Sequence, residues 1–213
     1  MMDADFWHDK WASNQIGFHQ AGGNPLLVKH FAALALRPGA RVFVPLCGKT
    51  RDIAWLMAQG CRVVGAELSE RAVQQLFAEM DVVPVVSEVG PLTHYAAEGV
   101  DVFVGDIFDL DEETLGRADA VFDRAALVAL PEDMRMRYAD HMVAITKTAP
   151  QLIVAFEYDQ SQTSGPPFSI SETEIKARYA VTYDLQSLET CDVEGGLKGQ
   201  VPAVETVWVL REK

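Results

Sequence analysis

Apolar residues along the chain fall into two alternating kinds of run: short continuous β-branched stretches, and longer stretches with apolar positions three or four apart. The clearest instance starts at Arg41. RVFVP is a buried-strand run, the turn LCGKT follows, and DIAWLMAQ places Ile53, Leu56 and Met57 at helical spacing before Gly60 closes the helix. CRVVGAEL is a second apolar run ending at Glu67, so residues 41–67 spell strand, helix, strand, and such a unit implies parallel strands. The same alternation predicts a helix over 69–79 with Ser69 as N-cap, strands at 100–106 and 119–124, and a helix from Pro131 to Thr148. A strand at 151–159 and a short helix at 171–178 follow, and the apolar runs AVTYDL and VETVWVL close the series. Upstream, GNPLLVKHFAAL reads as a helix with Asn24 as N-cap and Pro25 at its first position. Trp7 and Trp11, four residues apart, share one face of a further helix and should dock on something apolar, core or ligand. Repeated strand and helix followed by two closing strands predicts an α/β fold, an open doubly wound sheet with helices on both faces.

Composition narrows the class. A chain of 213 residues with 49% hydrophobic content can bury one sizeable core, and the Pro/Gly clusters punctuate elements instead of forming linkers, so one domain over 1–213 is expected. The formal charge of −13, with no basic run to interrupt it, would repel phosphate backbones, so nucleic acid is not an expected partner. No apolar stretch approaches the roughly 20 residues that cross a bilayer, and the first residues lack a basic then apolar leader. A soluble, cytoplasmic protein without a membrane partner is the expectation. Cys47, Cys61 and Cys191 form no CxxC pair, which fits a reducing compartment, and the five histidines show no metal-ligand spacing, so no metal is expected.

In doubly wound sheets, ligands bind beyond the carboxyl ends of the strands. Those ends carry Pro45 to Lys49, Glu67, Asp106 with Ile107, and Arg124. Glu67 lies at the end of the second strand, about 20 residues past the first turn, where nucleotide-binding folds place a carboxylate on ribose hydroxyls. The turn PLCGK has one glycine where a dinucleotide fingerprint needs GxGxxG, so a ligand with a ribose and no phosphate, such as S-adenosylmethionine, suits it better. On this loop alone, a tight turn near Leu46 and Gly48 with no ligand is an equally complete account. Cys47 precedes a helix but has no histidine near it in sequence to act as base, and reads as a small buried hydrophobe. Arg124, in FDRAAL, must either pair with Asp123 or reach into the cleft; as a permanent cation it can bind a carboxylate or attract a thiolate but cannot act as a base. In SGPPFS, Pro166 and Pro167 stiffen the chain around Phe168, a core ring or a cleft ring, and Phe18 lies between two helices where a lid could form.

Taken in order, WHDKW (7–11), GFHQ (17–20), RVFVPLCGK (41–49), VVGAELSE (63–70), GDIFDL (105–110), FDRAALVAL (122–130) and GPPF (165–168) resemble the thiopurine S-methyltransferase family. The resemblance implies a Rossmann-like class I methyltransferase fold with a mixed seven-stranded sheet, the last strand antiparallel, and S-adenosylmethionine as methyl donor. It also implies cofactor contacts at Trp7, Trp11, Leu46, Gly48, Glu67 and Arg124, with Asp106 and Ile107 beside the adenine. Residues 1–23 would cover the active site, with Phe18, Phe168 and Arg124 on the substrate side and Arg124 the group closest to a catalytic role. The expected substrate is a small thiol, a thiopurine or a selenium or tellurium compound, the expected assembly is a monomer, and no histidine base is required. One departure is the short Gly-rich segment VEGGLKGQVPA (193–203), where family members usually carry a longer stretch with a substrate-side arginine, for which Lys198 is a weak substitute.

Overall fold

The computed structural model describes residues 4–16 and 23–213. Phe18 and the rest of GFHQ lie outside the described residues, so the structure places nothing at that predicted substrate contact. The first helix, α1 (Ala4–Ala12), carries both tryptophans. Helix α2 (Pro25–His30) begins where expected because Asn24 Oδ1 accepts from the amides of Leu26 and Leu27 and Pro25 has no amide to satisfy. The core unit follows as β1 (Arg41–Pro45), α3 (Asp52–Ala58), β2 (Arg62–Glu67) and α4 (Glu70–Glu79), the last capped by the Ser69 hydroxyl on the Ala72 amide. Then come β3 (Val85–Val89), β4 (Leu92–Ala97), β5 (Val100–Val104), α5 (Glu112–Leu115), β6 (Ala120–Arg124), α6 (Glu132–Thr146), β7 (Gln151–Tyr158), α7 (Glu172–Tyr179), β8 (Tyr183–Asp192) and β9 (Ala203–Glu212).

The described strands form one sheet in the order β3-β4-β5-β2-β1-β6-β7-β9-β8. Strands β5, β2, β1, β6 and β7 are parallel, whereas β9 runs antiparallel to both β7 and β8. That stretch from β5 to β8 contains the seven expected strands, with the last in sequence antiparallel. The sheet nevertheless has nine strands among the described residues, not seven. The additional pair is the hairpin β3-β4, which lays β4 antiparallel on the edge of β5 and so satisfies a row of backbone groups that would otherwise face water. It is anchored by Leu92 and Tyr95, which are buried, while Val85 and Val86 of the edge strand β3 are both exposed.

Side chains alternate across the sheet, and each face meets its own layer of helices. Phe43, Val64, Val121 and Ile153 pack with Tyr138 and Met142 of α6 and Ile175 of α7. Val42, Val44, Val63, Phe122, Val154 and Val207 face the other way, against Leu27 of α2, Ile53 and Leu56 of α3, and Val73 and Leu76 of α4. This parity decides which strand-end residues reach which side of the cleft. No helix among the described residues is long and apolar enough to cross a membrane.

Candidate functional site

The parallel register brings the carboxyl ends of β1, β2, β5 and β6 to one edge of the sheet. After β1 the chain bends sharply, with Leu46 at φ +46° and Gly48 at φ +52°. Leu46 holds a conformation that side chains ordinarily avoid, and Gly48 tolerates its own at no steric cost. A Cβ on Gly48 would lie 2.9 Å from Cζ2 of Trp11, so the indole rests directly on the bare backbone of the turn. Trp11 is accordingly buried at 3% exposure, while Trp7, one turn earlier, is half-buried and meets Phe6 edge-on.

Glu67 is buried at 6% exposure beside this turn. The Gly48 amide donates to its Oε2 and the Ser69 amide to its Oε1, each at 2.8 Å. Burial raises its pKa, and the amides of Ser69, Gly48 and Leu68 pull it back down. The carboxylate therefore ties the end of β1 to the end of β2 through backbone amides. Each oxygen has a second lone pair, enough to accept from two vicinal hydroxyls. Cys47, next to Gly48 in the turn, is buried, and burial and the nearby Glu67 push its thiol pKa well up, against the thiolate form a nucleophile needs.

At the end of β6 adjacent residues take opposite roles. Asp123 points into the α6 layer, where its carboxylate accepts from the Tyr138 hydroxyl at 2.7 Å and the Leu127 amide at 3.1 Å, and burial raises its pKa to about 6. It thus bonds to its own layer, away from Arg124. Arg124 has the parity of Phe122 and faces the α2–α4 side. Burial lowers its pKa, and the negative charges of Asp52 and Glu205 raise it in return; the guanidinium stays cationic. Neither acid stood out in the sequence. Asp52, at the start of α3, is 2% exposed and accepts from the Asn24 amide at 2.6 Å and the Thr50 hydroxyl at 2.8 Å. Glu205 lies on β9 opposite Phe156 and shares the face of Val207.

The remaining predicted positions line the same edge. Asp106 is exposed, and its carboxylate caps a short turn by accepting from the Phe108 amide at 3.0 Å. Ile107 is buried, and its carbonyl is within 2.8 Å of His141 Nε2. The Phe168 amide donates to the Val128 carbonyl at 2.6 Å, docking the GPPF segment on the turn after β6. Its ring is half-buried, folds back on Gly165 and lies 5.7 Å from the Arg135 guanidinium, which is paired with Glu174. The segment 193–203 forms a compact turn in which Leu197 pairs with Val201, leaving Lys198 exposed. Among the described residues no group of three His, Cys, Asp or Glu side chains could hold a metal ion.

The residues present fit a ligand with a ribose and no phosphate. The Gly48 amide of the turn, which in a dinucleotide fold would be open to a pyrophosphate, is taken by Glu67 and covered by Trp11, while Glu67 keeps acceptor capacity for ribose hydroxyls. The family model described as thiopurine S-methyltransferase matches residues 2–213. Among curated relatives, a thiopurine S-methyltransferase of Xanthobacter autotrophicus is 59% identical over 210 residues, 98% of this chain and 99% of its own length. One of Teredinibacter turnerae is 51% identical over 209 residues, 98% of this chain and 97% of its own. Among solved structures, Burkholderia thailandensis 1,6-didemethyltoxoflavin-N1-methyltransferase with bound S-adenosylhomocysteine is similar at TM-score 0.68 and 18% identity, covering 99% of this chain and 87% of that one. Magnesium protoporphyrin IX methyltransferase of Synechocystis, also with S-adenosylhomocysteine, follows at TM-score 0.66 and 13% identity, covering 99% of this chain and all of that one. At those identities the likeness is one of fold.

Proposed function

The chain belongs to the thiopurine S-methyltransferase family and is an S-adenosylmethionine-dependent transferase, and we propose that it methylates the sulfur of thiopurines or related small thiol and chalcogen compounds. The observation that carries this reading is Glu67, fixed by the Gly48 and Ser69 amides at the end of β2 with acceptor capacity left over. The methyl donor, when bound, supplies an activated methyl group on a sulfonium. In this reading Glu67 holds the ribose, Leu46, Gly48 and Trp11 form the wall beside it, Trp7 extends the cover, and Asp106 and Ile107 flank the adenine. Arg124 supplies a fixed positive charge that holds a carboxylate or favours a thiolate, and thiopurine thiols ionise readily enough near neutral pH to need no protein base. What remains is to hold the nucleophile in line and exclude water, which is the work of the cover and of Phe168.

We also assign the whole chain to a single domain acting as a cytoplasmic monomer without a nucleic-acid partner, in keeping with its charge of −13. The test is calorimetric titration with S-adenosylmethionine and, in the same buffer, NADH, followed by transfer to 6-mercaptopurine with product analysis. Selective binding with an S-methylated product supports the proposal. Binding with transfer to halide or thiocyanate alone would reassign the nucleophile, and binding with no transfer would make the chain a cofactor-binding module.

A further inference from the structure

Helix α6 turns two side chains onto the loop after β5 that the reaction itself does not call for. Arg137 and His141 are four residues apart and share a face of the helix. His141 Nε2 lies 2.8 Å from the Ile107 carbonyl, which also accepts the Leu110 amide at 3.3 Å. A carbonyl can only accept, so the imidazole is the donor and carries a proton on Nε2. Beside it the Phe108 ring meets the His141 ring edge-on at 5.4 Å, and the Arg137 guanidinium lies 3.6 Å from the Phe108 centroid. The helix behind them is fixed, since Tyr138 and Met142 are fully buried and the Tyr138 hydroxyl donates to Asp123. The turn after β5 is therefore held from outside by α6 as well as from within, by the Asp106 cap on the Phe108 amide.

That turn adjoins the carboxylate given to the ribose. Glu67 is the register partner of Val104, and the Gly105 amide donates to the Glu67 carbonyl at 3.0 Å, so the chain from Gly105 onward leaves the sheet alongside Glu67. A base attached to a ribose held there has this turn as its neighbour on the β5 side. We propose that His141 is a positioning residue for the methyl donor: by donating to the Ile107 carbonyl and, with Arg137, gripping Phe108, it fixes the wall against which the adenine packs. The proposal rests on the reading of Glu67 and Ile107 given above and adds a residue to it. In this role His141 moves no proton. It sets the fraction of molecules whose wall is already in place, and apparent affinity scales with that fraction.

The variants are His141→Phe, which keeps a ring and removes the donor, and His141→Gln, which restores a donor. Each is measured for S-adenosylhomocysteine affinity, for kcat and KM with S-adenosylmethionine and 6-mercaptopurine, and for hydrogen exchange of the Phe108 and Leu110 amides with and without S-adenosylhomocysteine. A hydrogen bond of this kind is worth a factor of about 2 to 10. His141→Phe should raise the Kd and the KM for S-adenosylmethionine about fivefold, while kcat and the KM for 6-mercaptopurine stay within about twofold. Exchange at both amides in the ligand-free protein should speed several-fold, and His141→Gln should recover most of each effect. Unchanged affinity, a loss confined to kcat, or a glutamine variant as weak as the phenylalanine one overturns the proposal. If S-adenosylhomocysteine binds the parent without slowing exchange at Phe108 and Leu110, the adenine reading of this turn fails first and the proposal with it. If His141→Phe does not fold, Arg137→Met at the exposed end of the grip must raise the KM for S-adenosylmethionine about twofold with kcat intact, and an unchanged KM overturns the proposal.

Discussion

Replacing Glu67 by glutamine tests whether this carboxylate is part of the folded frame as well as of the ligand site. Its two oxygens accept the Gly48 and Ser69 amides at 2.8 Å, inside a region with 6% exposure. A glutamine side chain keeps one oxygen for one amide and turns an NH2 group towards the other. A buried donor left without an acceptor costs about 1–3 kcal/mol. Removing a charge that burial already disfavours, as the raised pKa indicates, returns part of that. The net expectation is a loss of about 2 kcal/mol in the ligand-free protein, equivalent to a fall of about 4–8 °C in Tm for a chain of this size. Urea unfolding followed by tryptophan fluorescence reads it without any ligand. S-adenosylhomocysteine titration on the same samples reads the separate loss of a ribose acceptor, about tenfold in Kd. Ligand-free Glu67→Gln as stable as the parent would refute the claim that folding itself fixes this side chain. Lost stability with unchanged affinity would remove the ribose assignment and leave a structural strut.

Asp123 gives a pH signature. Its folded-state pKa of about 6 lies above the unfolded value of about 3.9, so the folded protein binds more protons between the two and its stability falls as pH rises through that window. The difference in unfolding free energy between the parent and Asp123→Asn should therefore move against the parent by up to about 3 kcal/mol from pH 4 to pH 7, and a flat difference would contradict it. Gly48→Ala should cost about 1 kcal/mol from its positive φ, and more because its methyl would meet the Trp11 ring at 2.9 Å. Thermal unfolding and a shift in tryptophan emission would record both effects. An unchanged emission would mean that the indole does not rest on this turn.

The alternation of apolar runs made the parallel core legible because its strands are buried on both faces and read as continuous hydrophobic stretches. The hairpin β3-β4 escaped because β3 is exposed almost throughout and so carries no alternation, although the Gly90-Pro91 pair after the β-branched run VVSEV was a usable turn signal. β8 extends from Tyr183 to Asp192, well past AVTYDL, because an edge strand paired with β9 needs few apolar residues. At the cleft, Glu67 and Arg124 were visible as charges ending apolar strands. Asp52 and Glu205 were not, since each acts on Arg124 only through charge from another element, α3 and β9, that no local pattern ties to β6.

The split between Asp123 and Arg124 also bears on how this chain can diverge. The two side chains serve opposite layers because they are consecutive in a strand, so their roles are assigned by counting and not by chemistry alone. A substitution at either site alters one layer. A single-residue insertion or deletion inside β6 would instead send the cation into the apolar packing around Tyr138 and bring the acid to the cleft, because a slip by one exchanges the faces of every following residue. Sequence change in this strand is therefore expected to proceed by replacement at fixed length, with insertions and deletions confined to the turns on either side.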